Sequence, residues 1–278
     1  MSRRSKKTKA SIWKIILSVL TVALVAIGGY FVLNSFATPK GTTNEPKVTQ
    51  ETKKPAYTAS AEEKEYLSNK FKGLTSTNSE AIAYVYAPGT QLDEPVVQTK
   101  DNETYLNKTF EGENVPYLGA VFMDADNKKD FSDRLTWLFA HARGSKLGDH
   151  RMFNDVNYYS RQDYFDEHPY VVIETPERKF YYEAVAMVIV PEETAFYRTS
   201  FDDDKDFEKQ LTTIYDTAEV KKPNVKVSAK DKYLVLSTCR EEDDTIRANL
   251  YLRQIPDSEM SEFVKQHGDK LTYKPTRS

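Results

Sequence analysis

The chain has 278 residues, 39% of them hydrophobic and 29% charged, which is enough apolar material for a large packed domain and too much for a disordered one. The formal net charge of −3 hides an asymmetry: residues 1–36 hold six cations (Arg3, Arg4, Lys6, Lys7, Lys9, Lys14) and no acid, which leaves −9 for the remainder. So acidic a body argues against nucleic acid as a partner, and an aromatic share of 12%, with 18 Tyr and 14 Phe, favours strands over helices.

Residues 1–14 read as a basic cytoplasmic tail. Residues 15–33 follow without a single charge. As a helix these nineteen residues span about 28 Å, close to the hydrocarbon thickness of a bilayer. The cations on their N-terminal side place the N-terminus in the cytoplasm and everything after the span outside. A cleaved signal peptide is the competing reading, because Ser35-Phe36-Ala37 is a passable small-x-small site. A buried core helix suits the position poorly. Residues 34–60, rich in Thr, Lys, Pro and Glu, read as a flexible stalk.

The folded body is expected over 61–278. Ser60 and Glu63 have the spacing of a capping box, which predicts a helix over 61–72 with Tyr66, Leu67 and Phe71 on one face. Strands are predicted at 81–86 (stopping at Pro88-Gly89), 95–98, 115–123 and 135–140, each bounded by turn-forming residues. Residues 170–174 and 179–190 read as a hairpin around Thr175-Pro176-Glu177-Arg178. A helix over 201–216 carries Phe207, Leu211 and Ile214 at helical spacing, with Asp202, Asp203 and Asp204 as a solvated first turn rather than a metal site. Strands at 232–238 and 247–255 complete the set. Many short strands, few helices and no βαβ rhythm point to a mainly β barrel with helical insertions.

Cys239 is the only cysteine, so no intramolecular disulfide exists. A lone thiol outside the cell is buried and inert, paired between molecules, or kept for its reactivity. It ends the apolar run Tyr233-Leu-Val-Leu-Ser-Thr-Cys239, at the tip of a strand. A thiol needs a base or cation to become a thiolate. Of four histidines, His141 ends an apolar strand in the same way. His150 lies in a polar loop, His168 precedes Pro169 in a structural setting, and His267 sits in a polar tail. Arg247 opens the next strand eight residues after Cys239, where it is either an ordinary surface arginine or a cation folded back beside the thiol. Glu241 and Glu242 either orient His141 or, as we favour, solvate the turn.

These residues resemble the sortase family, whose signature is Thr-Leu-x-Thr-Cys with a downstream Arg. Here the run is Val235-Leu236-Ser237-Thr238-Cys239, with Val in place of Thr. Glu94-Pro-Val-Val-Gln98, Asp101-Asn102 with Tyr105-Leu106, and Gly119-Ala-Val-Phe-Met-Asp124 are similar to the class B pattern, as are His141 ahead of Met152-Phe153 and His168-Pro169 ahead of 171–175. The chain departs from the family at Phe139-Ala140-His141, where Tyr-Gly-His is usual, and in a longer loop over 143–151.

The resemblance implies a closed sortase-type barrel with an N-terminal helix, a helical insertion between late strands and one preceding transmembrane helix. It implies a membrane-anchored cysteine transpeptidase on a Gram-positive-type surface, with Cys239 as nucleophile, His141 as proton partner and Arg247 as oxyanion stabiliser. The implied partners are exported proteins or pilins bearing a C-terminal sorting signal, and an amine of the peptidoglycan cross-bridge or a pilin lysine. No metal or other cofactor is called for. A papain-like peptidase would place Cys ahead of His within Cys-Gly-Ser-Cys-Trp, which is not the case here. A non-catalytic assembly scaffold is the other rival, and retention of all three polar groups weighs against it.

Overall fold

Eight strands close into a barrel. They are β1 (Ala81–Tyr86), β2 (Asp93–Val97), β3 (Val121–Met123), β4 (Leu135–Phe139), β5 (Tyr170–Glu174), β6 (Lys179–Pro191), β8 (Tyr233–Cys239) and β9 (Ile246–Gln254), with the two-residue β7 (Val220–Lys221) added to the side of β6. The order β5-β1-β2-β3-β4-β8-β9-β6 is closed by a β5–β6 pairing. Most neighbours are antiparallel, but β2 with β3 and β4 with β8 run parallel. This computed structural model describes residues 57–194, 196–240, 243 and 245–277. The expected basic tail, membrane span and most of the stalk lie outside those residues, as do Glu241 and Glu242. Among the described residues, no helix is long and apolar enough to cross a membrane.

The mainly β expectation holds, and the predicted hairpin forms with Tyr170 opposite Glu183 and Glu174 opposite Lys179. Alternation along the late strands sorts two cores. Leu234 and Leu236 of β8, with Ala248, Leu250 and Leu252 of β9, point into the barrel. Tyr233, Val235 and Tyr251 face the other way, where they meet Leu135 and Trp137 of β4.

Helices cover the outside. α1 (Ala61–Thr77) starts at Ser60, whose hydroxyl accepts from the Glu63 amide at 3.1 Å, as the capping spacing predicts. Its Leu67 and Phe71 are buried against Tyr84, Tyr86 and Val172, whereas Tyr66 sits at the rim. The predicted late helix is α2 (Asp204–Thr217), capped by the Asp203 carboxylate and packed through Phe207, Leu211 and Ile214 on the outer core.

Two expectations change. The strand expected over 115–123 is confined to Val121–Met123, because the chain turns at Tyr117 (φ 66°) and Gly119 (φ 57°). A Cβ on Gly119 would lie 2.6 Å from the Tyr105 carbonyl, so only glycine fits there. The polar tail contains a third long helix, α3 (Asp257–His267), which buries Met260 and sets Phe263 and His267 against Tyr170.

Candidate active site

The parallel pairing of β4 with β8 brings together residues far apart in sequence. Phe139 is the register partner of Ser237, so His141 and Cys239 each lie two residues beyond a matched pair, at neighbouring strand tips. On the other side Cys239 is the direct antiparallel partner of Arg247. Side-chain alternation gives all three the same sense, because they continue the outward series Leu135–Trp137–Phe139, Tyr233–Val235–Ser237 and Asn249–Tyr251. The site therefore sits on the face that α2 covers farther along the strands.

Those residues line a cavity of about 390 Å³ together with Leu106, Tyr117 and Glu192. Cys239 is half-buried, and its strand end is held by Asn157, whose Nδ2 donates to the Cys239 carbonyl at 3.3 Å.

His141 is fixed on two sides. Its carbonyl accepts from the Phe153 amide at 3.0 Å. Its ring Nε2 lies 2.6 Å from the Leu106 carbonyl. A carbonyl can only accept, so Nε2 carries a proton. The Gly119 turn backs the ring, since a Cβ there would stand 3.2 Å from His141 Cδ2. The Tyr117 ring lies 6.5 Å from the imidazole, centre to centre.

The Asp101-Asn102 and Tyr105-Leu106 run supplies this support. Asp101 accepts from the amides of Glu103 and Thr104 and starts the helical turn Thr104–Asn107, which delivers the Leu106 carbonyl. Asn102 bonds Asp124 and the Ala125 amide, while the Tyr105 hydroxyl donates to Glu80 at 2.6 Å.

Arg247 Nη2 is 2.5 Å from Glu192 Oε1, and the Glu192 amide donates to the Thr245 carbonyl at 2.9 Å. Glu192 and Arg247 also line a second cavity of about 240 Å³, walled by Trp137, Phe139 and Tyr197 and floored by Ser237 and Asn249. Asn249 is 5% exposed, and its buried Oδ1 has no hydrogen-bond partner among the described residues. Tyr197 closes this cavity from above by bonding the buried Asp124 carboxylate, and burial pushes the Tyr197 hydroxyl well above its usual pKa.

Sequence reading named His141, Cys239 and Arg247, and the fold brings the three together. His150 is not among the residues of either cavity. His168 packs its ring 4.4 Å from Tyr164, and His267 stacks near Tyr170 and Phe263. Glu192 and Asn249 were missed. Glu192 stands at the end of an apolar strand as an ordinary turn acid, and Asn249 interrupts the alternation only by one polar residue.

No family model matches the chain. Sortase B of Staphylococcus aureus (strain NCTC 8325 / PS 47) is 26% identical over 227 residues, covering 81% of this chain and 89% of that protein. Sortase B of Listeria monocytogenes serovar 1/2a (strain ATCC BAA-679 / EGD-e) is 28% identical over 185 residues, 66% of this chain and 73% of that protein. Among solved structures, the Staphylococcus aureus sortase B–substrate complex superposes with a TM-score of 0.62 at 25% identity, over 70% of this chain and 92% of that one. The resemblance read from the Cys239 run and its companions is borne out.

Proposed function

We propose that this chain, a class B-like sortase and thus a cysteine transpeptidase, cleaves a C-terminal sorting signal of exported proteins and passes the acyl group to an amine of the cell-wall peptidoglycan or to a pilin lysine. The observation that supports this most is the shared strand-tip placement of His141, Cys239 and Arg247 around one cavity. The Cys239 thiolate attacks the scissile carbonyl carbon and forms a C–S bond. Arg247 faces the oxyanion that develops, in a site where a fixed cation needs no reorganisation. Protonated His141 gives its proton to the departing amine as the C–N bond breaks, leaving a thioester. An incoming amine then attacks the thioester and returns a proton to the imidazole, and the thiolate leaves. In this reading the second cavity, which shares Arg247 and Glu192 with the first, takes the residues ahead of the cleaved bond.

The test is turnover of sorting-signal peptides by the purified protein with two amine acceptors, a cross-bridge peptide and a pilin-type lysine, read by mass spectrometry. Cys239→Ala is expected to give no covalent adduct by intact mass. An adduct on that variant would overturn the assignment, and the favoured acceptor separates wall anchoring from pilus polymerisation.

The same reading places residues 15–33 in the membrane and the body outside. Protease applied to intact cells is then expected to release a fragment beginning within 34–60. A mature chain starting after Ala37 would instead establish a cleaved signal.

A further inference from the structure

The loop that carries His141 is tied to the C-terminal segment through one buried carboxylate. Glu94 stands at the start of β2 with a side chain only 2% exposed. An isolated carboxylate in such a place is strongly disfavoured and needs partners. It has two arginines from opposite parts of the chain. Arg151, at the end of the 143–151 loop, donates Nε and Nη2 to Glu94 Oε1 at 3.2 and 3.1 Å. Arg277, near the C-terminus, lies 3.0 Å from Glu94 Oε2. The Met152 amide also donates to Oε1, at 3.3 Å.

The tie continues to His141. Met152 forms a bridge with Ala142, and the next amide, Phe153, donates to the His141 carbonyl. From the other direction the C-terminal segment is pinned beside Arg277. Asp93, the neighbour of Glu94, accepts from the amides of Thr276 (2.8 Å) and Arg277 (3.4 Å), the Thr276 hydroxyl and the Tyr273 hydroxyl. Inside the loop an Arg143–Asp149 ion pair links its two arms, and Arg143 lines the Cys239 cavity.

We propose that Glu94, Arg151 and Arg277 form a positioning device in which the C-terminal segment holds the base of the His141 loop and thereby sets the imidazole against Cys239. None of the three lines the Cys239 cavity, so they act through His141 rather than on substrate. The device rests on the transpeptidase reading above only for its effect on rate; the mechanical tie stands by itself. Loss of the Arg277 cation leaves Oε2 of a buried carboxylate without its partner, so Glu94 and with it Arg151 and Met152 shift together. A displacement of about 1 Å at a catalytic group can cost up to about 100-fold in rate.

The experiment uses the full-length protein with Arg277→Ala and Arg277→Lys. Arg277 is partly exposed, so neither variant empties the core. Deuterium exchange at the Met152 and Phe153 amides and kinetics with a sorting-signal peptide are measured together. Arg277→Ala is expected to speed exchange at those two amides while β8 and β9 amides stay protected. It is expected to lower kcat about 10- to 100-fold with KM little changed, and Arg277→Lys is expected to restore much of both. Unchanged exchange at Met152 and Phe153 would overturn the tie. Faster exchange with unchanged kcat would overturn its role in positioning His141. If the wild-type protein turned over no peptide, the transpeptidase reading would fall and with it the positioning role, while the exchange result would still decide the tie.

Discussion

Glu192 and Arg247 face each other at 2.5 Å across the wall shared by the two cavities. The Glu192 side chain is 61% exposed, so the pair adds little to stability, at most about 1 kcal/mol. Its expected consequence is orientation, because the carboxylate holds one end of the guanidinium. Glu192→Gln is therefore expected to leave the melting temperature near wild type. It should lower kcat about 3- to 10-fold, the scale of returning rotamer freedom to one long side chain. A fall in Tm with kcat intact would reverse that assignment.

Arg247 itself is expected to matter more. Lysine keeps the charge but not the planar fork of donors. Both Arg247→Ala and Arg247→Lys should cost about 10²–10³ in kcat, as losing one oxyanion donor does. Steady kcat with collapsed stability would move the oxyanion role to backbone amides alone.

Three histidines can be separated by kinetics. His141→Ala is expected to lower kcat/KM by about 10²–10⁴, because it removes the proposed acid and base. His150→Ala should keep wild-type turnover. His168→Ala loses the contact with Tyr164 and should lower Tm more than kcat. Equal losses of turnover in all three variants would refute His141 as the partner of the thiol.

Acid should loosen the clasp at Asp93. Burial pushes this carboxyl up, but the Thr276 amide and hydroxyl with the Tyr84 and Tyr273 hydroxyls outweigh burial and hold it below its usual value. A carboxyl depressed in the fold contributes stability that is fully present above its unfolded pKa of about 3.9 and is lost as pH falls through the folded value. The difference in urea midpoint between wild type and Asp93→Asn is expected to be constant above about pH 5 and to shrink from about pH 4 downward. A difference independent of pH would show that Asp93 acts only as a neutral acceptor. Neighbouring Glu94 is shifted upward by burial, so its own titration carries the opposite sign.

The insertion helix should behave as structure. Leu211 is 2% exposed under α2. Leu211→Ala is expected to cost about 2–5 kcal/mol, a fall in Tm of about 5–15 °C, with kcat at 25 °C nearly unchanged. A kinetic loss without a thermal one would place α2 in the active site.

The strand tips were legible because apolar runs end at His141 and Cys239, and a run that gives way to polar loop residues marks a strand end. The α2 face was legible from Phe207, Leu211 and Ile214. What stayed hidden depended on distant partners. Val115, Leu118 and Ala120 look like strand, yet Gly119 must turn to let the Tyr105 carbonyl pass. Asp93 and Glu94 look like loop acids until Thr276 and Arg277 arrive from the far end of the chain. α3 was missed because its buried contacts are few and its charges many. That β4 and β8 run parallel has no local signal at all.

That parallel pairing also sets when the two strand tips can meet. Residues 140–232 must travel out and return before the tips of β4 and β8 can meet, so theirs is the most non-local strand pairing among the described residues. Closing so wide a loop loses configurational entropy that early local pairing cannot offset. The β5–β6 and β8–β9 hairpins, with short connections, are free to zip first. Until β4 docks, Cys239 has no His141 beside it. The arrangement on which the proposed chemistry depends is therefore complete only when the barrel is.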